Sequence, residues 1–196
     1  MFGATEIQYT GHVLNEQGLS FSKEKIEKVS GFTKPTTQKE LKSFVGFVTY
    51  FHEHIKNFSM IMAPLHRLLG GYTRGSSHKL KWDDETDSAF HTIQNSIKNI
   101  PTLHFIDPDA PIYLHTDASD YGIGAYLFQL KDGIEYPIAF VSKALHKEQL
   151  RWDTPEKECY AIFYSLQKLS YLIRDTHFTL RTDHKNLTFL NQDHRG

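Results

Sequence analysis

Three acidic residues occupy comparable places in the C-terminal half of the sequence. Asp117 ends the apolar run YLHTD, Glu158 lies one turn into an amphipathic helix, and Asp183 ends the run HFTLRTD. If the two runs are neighbouring strands and the helix packs across them, the three carboxylates converge. Such close like charges raise each other's pKa values, and a divalent cation removes the repulsion. Two Mg²⁺ ions about 4 Å apart can activate a water and stabilise a leaving oxygen. The pattern therefore predicts a metal-dependent nuclease site.

Each of the three acids also has a simpler interpretation that the spacing leaves open. Asp117 could open the turn over residues 119–122, since aspartate is common in turns. Glu158 could be a solvated helix residue, with Glu156 as the functional carboxylate instead. Asp183 could cap the helix that follows it.

The segments around these acids follow an α/β pattern from about residue 105 onward. Residues 112–117 alternate with a period of two, which is typical of a strand. A hairpin turn is predicted at residues 131–133. The predicted elements are strands at 112–117, 122–129, 134–141 and 177–182, a helix with Pro155 in its first turn, and a short helix at 186–191.

The N-terminal half is predicted to be helical. Thr37 and Glu40 form a capping box, and the apolar positions behind them follow helical spacing to Phe51. A second helix is predicted from about Ser59 to Leu69, and a third after Trp82. Residues 70–77 are the most linker-like segment of the chain.

Composition limits the class of protein but not its function. Hydrophobic residues make up 39% of the 196 residues, and the formal net charge is -1, so any basic binding face must be local. Cys159 is the only cysteine, which excludes an intrachain disulfide and fits a reducing, intracellular compartment. No apolar run approaches the roughly 18 residues of a membrane span, and the N-terminus lacks the pattern of a secretory signal. The 12 histidines lack metal-ligand spacing.

Residues 6–196 resemble the end of the reverse transcriptase and the start of the RNase H domain in gypsy-type LTR retrotransposon polyproteins. The similar segments occur in the family's order. They are GHVLNEQGLSFSKEKIEKV, PTTQKELKSFVGFVTYFHEHIKNFSMIMAPLHRLL, KWDDETDSAFHTIQNSI, TDASDYGIGAYLFQ, YPIAFVSKAL, TPEKECYAI and LRTDHKNLTFL.

The resemblance implies a fold and a boundary. It implies a reverse transcriptase C-terminal (thumb and connection) segment at residues 1–104, followed by an RNase H-like domain at 105–196. That domain is an α/β fold with a mixed sheet of order 3-2-1-4-5 and packed helices. Because the chain ends at Gly196, the fifth strand is expected to be missing.

The resemblance also implies a site and an activity. Asp117 matches the aspartate of the family's T-D-A-S strand, Glu158 the second glutamate of its E-K-E helix, and Asp183 the aspartate of its T-D-H strand. These carboxylates are expected to bind two Mg²⁺ ions, with Mn²⁺ as a substitute, and to cut the RNA strand of an RNA–DNA hybrid. The implied partners are that hybrid and the rest of the Pol polyprotein, its polymerase palm and integrase. No membrane is implied, and the implied location is a cytoplasmic particle or the nucleus.

The sequence departs from the family's pattern in ways that affect function. The family's fourth catalytic aspartate lies on a later helix, beyond Gly196, and the polymerase motif Tyr-x-Asp-Asp is absent. Residues 81–84, KWDD, imitate that motif but are interpreted as a helix start, and Thr10 stands where the family has leucine. No polymerase chemistry is therefore expected from this chain. The alternative function is a catalytically inactive remnant that at most binds nucleic acid. An integrase-like nuclease would need a different third carboxylate.

Overall fold

The computed structural model describes residues 4–70 and 78–182, which form two four-stranded sheets with five α-helices. The first sheet has the order β1-β2-β3-β4 and is antiparallel throughout. Its strands are β1 (Glu6–Tyr9), β2 (His12–Asn15), β3 (Gly18–Phe21) and β4 (Leu103–His104). The helices inserted between β3 and β4 are α1 (Lys23–Ser30), α2 (Gln38–Val48), α3 (Phe58–Leu68) and α4 (Asp84–Lys98), with a 3-10 helix at Thr49–His54. None of the helices in these two ranges is long and apolar enough to cross a membrane.

The helical segment follows the expected capping and packing. Thr37 Oγ1 accepts from the Glu40 backbone N–H at 3.3 Å, and Glu40 Oε2 accepts from the Thr37 backbone N–H at 3.1 Å, which confirms the capping box. Asp83 caps α4, so residues 81–84 do start a helix. The predicted apolar positions are buried in one core, among them Leu41, Phe44, Val45, Val48, Phe51, Ala89, Phe90, Ile93 and Ile97.

The prediction of a helical N-terminal half is wrong for residues 6–21, which form a three-stranded meander. Each strand has only four residues, too short for a clear period of two. The turn between β1 and β2 has positive φ at both Thr10 (49°) and Gly11 (87°), the geometry of a tight hairpin turn. Gly18, with φ of 143°, lets β3 approach β4 closely, since a Cβ there would lie 2.0 Å from the Leu103 carbonyl oxygen.

The second sheet confirms the expected RNase H-like order in the part of the chain that the structure describes. Its strands are β5 (Ile112–Ala118), β6 (Gly122–Lys131), β7 (Ile134–Ala144) and β8 (Phe178–Thr182), in the order β7-β6-β5-β8. The helix α5 (Thr154–Ile173) connects β7 to β8. β8 runs parallel to β5, and the other two pairs are antiparallel. These strands are the 3-2-1-4 portion of the predicted order. The predicted short helix at 186–191 lies outside the described residues.

The two faces of this sheet differ in chemistry. Ile112 and Leu114 pack with Leu169 and Ile173 of α5, forming the aliphatic core of the domain. The opposite face carries a row of stacked aromatic rings. Neighbouring centroids are 4.6–5.4 Å apart in the order Tyr113, Phe128, Tyr126, Phe140.

The helical segment contacts this second sheet directly. α3 packs against β6 and β7, and the 3-10 helix and β4 lie along β7. The backbone N–H of Ser59 in α3 donates to Ser142 Oγ in β7 at 2.7 Å. The predicted division between residues 104 and 105 stays a prediction, but the segments on either side of it share a packed surface.

The buried side chain of His54 makes the stability of the N-terminal segment, residues 4–104, depend on pH. Its side chain is buried against the ring of Phe21, 4.6 Å away, and burial lowers its pKa from 6.5 to about 4. The charge of the nearby His12 acts in the same direction. Between pH 6.5 and about 4 the unfolded chain therefore binds a proton that folded His54 does not, so stability falls as pH falls.

We expect the free energy of unfolding to fall by up to roughly 3 kcal/mol between pH 7 and 4 through this residue, at about 1.4 kcal/mol for each pKa unit. Urea denaturation at a series of pH values measures it. His54→Phe should lose this part of the slope, whereas His146→Gln, at an exposed position, should keep the wild-type slope. Parallel pH profiles for wild type and His54→Phe would contradict the assignment.

Candidate active site

Asp117 lies near the end of β5, just before the β5–β6 turn. β5 is an internal strand of the second sheet. The Cα partner of Asp117 in β6 is Gly124. Ile112, Leu114 and Ala118 face the core beneath α5, so strand alternation places Asp117 on the other face. There its Oδ2 accepts a hydrogen bond of 2.9 Å from Asn57 Nδ2, at the start of α3.

The turn that follows β5 does not depend on Asp117. Ser119 Oγ accepts from the backbone N–H groups of Tyr121 and Gly122, both at 3.2 Å, and Ser119 N–H donates to the Gly122 carbonyl at 2.9 Å. Asp117 itself remains paired within the sheet. The interpretation of Asp117 as the residue that opens this turn is therefore wrong.

Glu156 and Glu158 have different environments on α5. Glu156 is exposed and belongs to a capping box: its Oε2 accepts from the Asp153 backbone N–H at 3.0 Å, and its own N–H donates to Asp153 Oδ1 at 2.8 Å. Glu158 is only 6% exposed. Glu156 thus has a structural task at the helix start, and Glu158 is the carboxylate that the helix carries inward.

The first turns of α5 lie at the same edge of the sheet as Asp117. The Lys157 ammonium, on a buried side chain, donates to Asp120 Oδ1 at 3.0 Å and so ties α5 to the β5–β6 turn. One turn further along, Ala161 packs with Ala118 at the end of β5. Glu158 lies between these two contacts in sequence, on the part of α5 that is held at the end of β5.

Asp183 lies outside the described residues. The last described pair of the parallel β5–β8 ladder is Thr116 opposite Thr182, which precede Asp117 and Asp183 in the sequence. Within residues 4–70 and 78–182, no group of three or more His, Cys, Asp or Glu side chains is arranged to hold a metal ion. The predicted triad includes Asp183 and so remains a prediction.

Some residues at this edge were not anticipated. Asn57 was not predicted as a site residue, because its neighbours in sequence indicate only the start of a helix. The ammonium of Lys143 donates to Tyr160 Oη at 2.6 Å and lies 4.5 Å from the centre of the Tyr164 ring. This hydrogen bond lowers the pKa of Tyr160.

Comparison with known proteins identifies the fold and the family. Residues 82–180, just over half of the chain, match the family described as the RNase H-like domain found in reverse transcriptase. The chain belongs to this family. The RNase H-like match begins at the start of α4 and ends within β8, so it includes Asp117 and Glu158.

Relatives of the RNase H-like chain are Pol polyproteins of mobile elements, which confirms the predicted resemblance. It is 31% identical to the retrovirus-related Pol polyprotein from transposon opus of Drosophila melanogaster over 192 residues, covering 94% of this chain and 19% of that protein. It is 32% identical to the transposon Tf2-3 polyprotein of Schizosaccharomyces pombe over 189 residues, covering 95% of this chain and 14% of that protein. The chain thus spans less than a fifth of these curated relatives.

Solved structures show the same fold. The foamy viral protease–reverse transcriptase in complex with RNA/DNA hybrid aligns with a TM-score of 0.66 at 23% identity, over 91% of this chain and 24% of that one. The same foamy viral protein in complex with double-stranded DNA aligns with a TM-score of 0.68 at 22% identity, over 97% and 39%.

The β5–β6 turn next to the site depends on a glycine. A Cβ on Gly122 would lie 2.9 Å from the backbone oxygen of Lys143, in the neighbouring strand. We expect Gly122→Ala to lower the free energy of unfolding by about 1–3 kcal/mol, because β6 and β7 would have to move apart. Gly46→Ala is the matched control. It lies in α2 with nothing within 4 Å of the new Cβ, and should stabilise the protein by about 0.5–1 kcal/mol. Denaturant unfolding measures both, and a Gly122→Ala protein as stable as wild type would contradict the packing described.

Proposed function

We propose that this RNase H-like domain hydrolyses the RNA strand of RNA–DNA hybrids during reverse transcription, using Mg²⁺ held by Asp117, Glu158 and Asp183. The observation that carries the proposal is that the first turns of α5, which include Glu158, are tied to the end of β5 and to the turn that follows Asp117. The β5–β8 pairing supports the third ligand, since Thr116 and Thr182 precede the two aspartates.

The donor set fits magnesium. All three proposed ligands are carboxylates, and Mg²⁺ prefers oxygen ligands while retaining several waters. Glu158 is buried, and a buried carboxylate is stabilised next to a cation. Mn²⁺ has similar ligand preferences and is expected to substitute. When bound, such ions would activate a water and stabilise the departing oxygen of the phosphodiester.

Residues of this chain hold Asp117 and Glu158 in position. The parallel β5–β8 pair and the antiparallel β5–β6 pair hold the Asp117 backbone on both sides. The Lys157–Asp120 ion pair fixes the start of α5 against the β5–β6 turn, and so sets the position of Glu158 relative to the sheet. Both carboxylates are therefore carried by rigid elements, which favours a preorganised metal site.

The proposed substrate rests on a relative and on general recognition principles. A foamy viral reverse transcriptase of the same fold forms a complex with RNA/DNA hybrid. Selection of RNA over DNA would use the 2′-hydroxyl and the minor-groove shape of the hybrid. The other proposed partner is the remainder of a Pol polyprotein, as in the transposon relatives.

Cleavage of a labelled RNA–DNA hybrid in the presence of Mg²⁺ tests the proposal. Asp117→Asn, Glu158→Gln and Asp183→Asn should each lower the rate by at least about 100-fold, since even the outer partners of metal ligands contribute 10- to 100-fold. The matched control is Glu156→Gln, which keeps the capping box and should cleave like wild type. A duplex with DNA in both strands should not be cut.

The assay is run on this chain and on the chain extended through the next strand and helix of its reading frame. Cleavage that depends on Asp117 in either form supports the proposal. If neither form cuts better than its Asp117→Asn variant, the chain is the catalytically inactive remnant.

A further inference from the structure

We infer that Asn57 is a positioning residue for the Asp117 metal ligand, supplied by the helical segment that precedes the RNase H-like sheet. The inference rests on the function proposed above and assigns a role to a residue outside the predicted ligand set. Asn57 Nδ2 donates to Asp117 Oδ2 at 2.9 Å, across 60 residues of sequence. Within the described residues this is the hydrogen bond that the Asp117 carboxylate receives, and it leaves Oδ1 for a cation.

The backbone of Asn57 directs its side chain away from its own helix. Asn57 is the N-cap of α3, yet its side chain makes no capping hydrogen bond. Its φ and ψ of 55° and 30° are left-handed, a conformation that asparagine adopts more readily than most residues. Asparagine is a preferred N-cap because its side chain normally satisfies a free N–H of the first turn. Here the amide is used for Asp117 instead.

Gly124 lies directly against the side-chain amide of Asn57. A Cβ on Gly124 would lie 2.1 Å from Asn57 Oδ1 and 3.1 Å from its Cγ, so the amide occupies the space that a side chain would need. Asn57 Oδ1 is buried there and accepts no hydrogen bond. The orientation of the amide follows from the carboxylate, since turning it over would place an oxygen against an oxygen. A buried polar atom left without a partner calls for an explanation, and the bond to Asp117 on the same amide supplies one.

Other contacts dock α3 on the sheet without involving the Asn57 amide. Ser59 N–H donates to Ser142 Oγ at 2.7 Å, two residues after Asn57. Met60 lies over Gly122, with its Cγ 3.5 Å from the position of an added Cβ. At the far end of α3 the Arg67 guanidinium lies 5.1 Å from the centre of the Tyr121 ring. Asn57 thus lies at the start of a docked helix, and its own hydrogen bond orients Asp117; residues that orient a metal ligand strengthen metal binding.

The test measures Mn²⁺ binding by calorimetry in wild type, four single variants and one double variant. Asn57→Gly removes the amide and keeps the left-handed backbone, which glycine adopts freely. Gly124→Ala leaves Asn57 in the sequence but pushes its amide away from Asp117. The control, Ser142→Ala, removes the neighbouring hydrogen bond between α3 and the sheet without touching Asp117. Asp117→Asn reports whether the binding belongs to the proposed site.

We expect Asn57→Gly and Gly124→Ala each to weaken Asp117-dependent Mn²⁺ binding by about 10- to 100-fold, and Ser142→Ala to leave the affinity unchanged. The double variant Asn57→Gly/Gly124→Ala should recover thermal stability relative to Gly124→Ala, because the clash is gone, but should not recover Mn²⁺ affinity. In wild type, the NMR signals of the Asn57 side-chain amide should shift on addition of Mg²⁺. The shift should reach saturation at the Mg²⁺ concentration that saturates binding.

The outcomes separate this inference from the proposed function. Wild-type affinity in both Asn57→Gly and Gly124→Ala, with binding lost in Asp117→Asn, overturns the role of Asn57 and leaves the metal site standing. Equal weakening in Ser142→Ala also overturns it, since the effect would then be one of helix docking. If wild type and Asp117→Asn bind Mn²⁺ alike, the metal site itself is wrong and the inference with it.

Discussion

The close approach of α3 to β6 is the constraint on which the proposed site depends. Gly124 makes that approach possible, since it lies beneath the amide of Asn57, and Gly122 lies beneath Met60 on the same strand. A Cβ at Gly124 would lie 2.1 Å from Asn57 Oδ1 and would force the helix away from the sheet, whereas a Cβ at Gly122 would clash with the backbone of β7, 2.9 Å away. The same two glycines lie opposite the end of β7 and the end of β5, respectively, so helix docking, strand pairing and the environment of Asp117 are determined together.

Much of the fold follows from patterns that are local in sequence. The capping box at Thr37, the acidic residues after Trp82 and the apolar stripes behind them predict α2 and α4, because helix starts are encoded within a few residues. The alternation at residues 112–117 predicts β5 for the same reason. At residues 6–21 the resemblance implies a hairpin, but the residue pattern does not indicate the meander, because four-residue strands carry little periodic signal and their turn depends on a positive φ at Thr10, which is unusual for threonine.

The candidate site is less local, and the sequence is correspondingly less informative about it. Asp117, Glu158 and Asp183 could be selected by type and by resemblance, but the difference between Glu156 and Glu158 required their burial and capping contacts. Asn57 carries no signal of its own, since any helix N-cap favours asparagine. Its significance appears only when Gly124 and Asp117, each about 60 residues or more away, are seen around its amide. The spacing of residues in the sequence does not show which distant segments pack against each other.

The hydrogen bond from Asn57 to Asp117 limits where such a chain can be joined to a related one. A junction near residue 104 would divide α3 from β5. A chimera joined there would inherit Asp117 from one parent and its amide donor from the other. Only parents that match at Asn57, Gly122 and Gly124 would reconstitute the contact. A fragment that keeps this contact therefore begins upstream of α3, well before the sheet that contains Asp117.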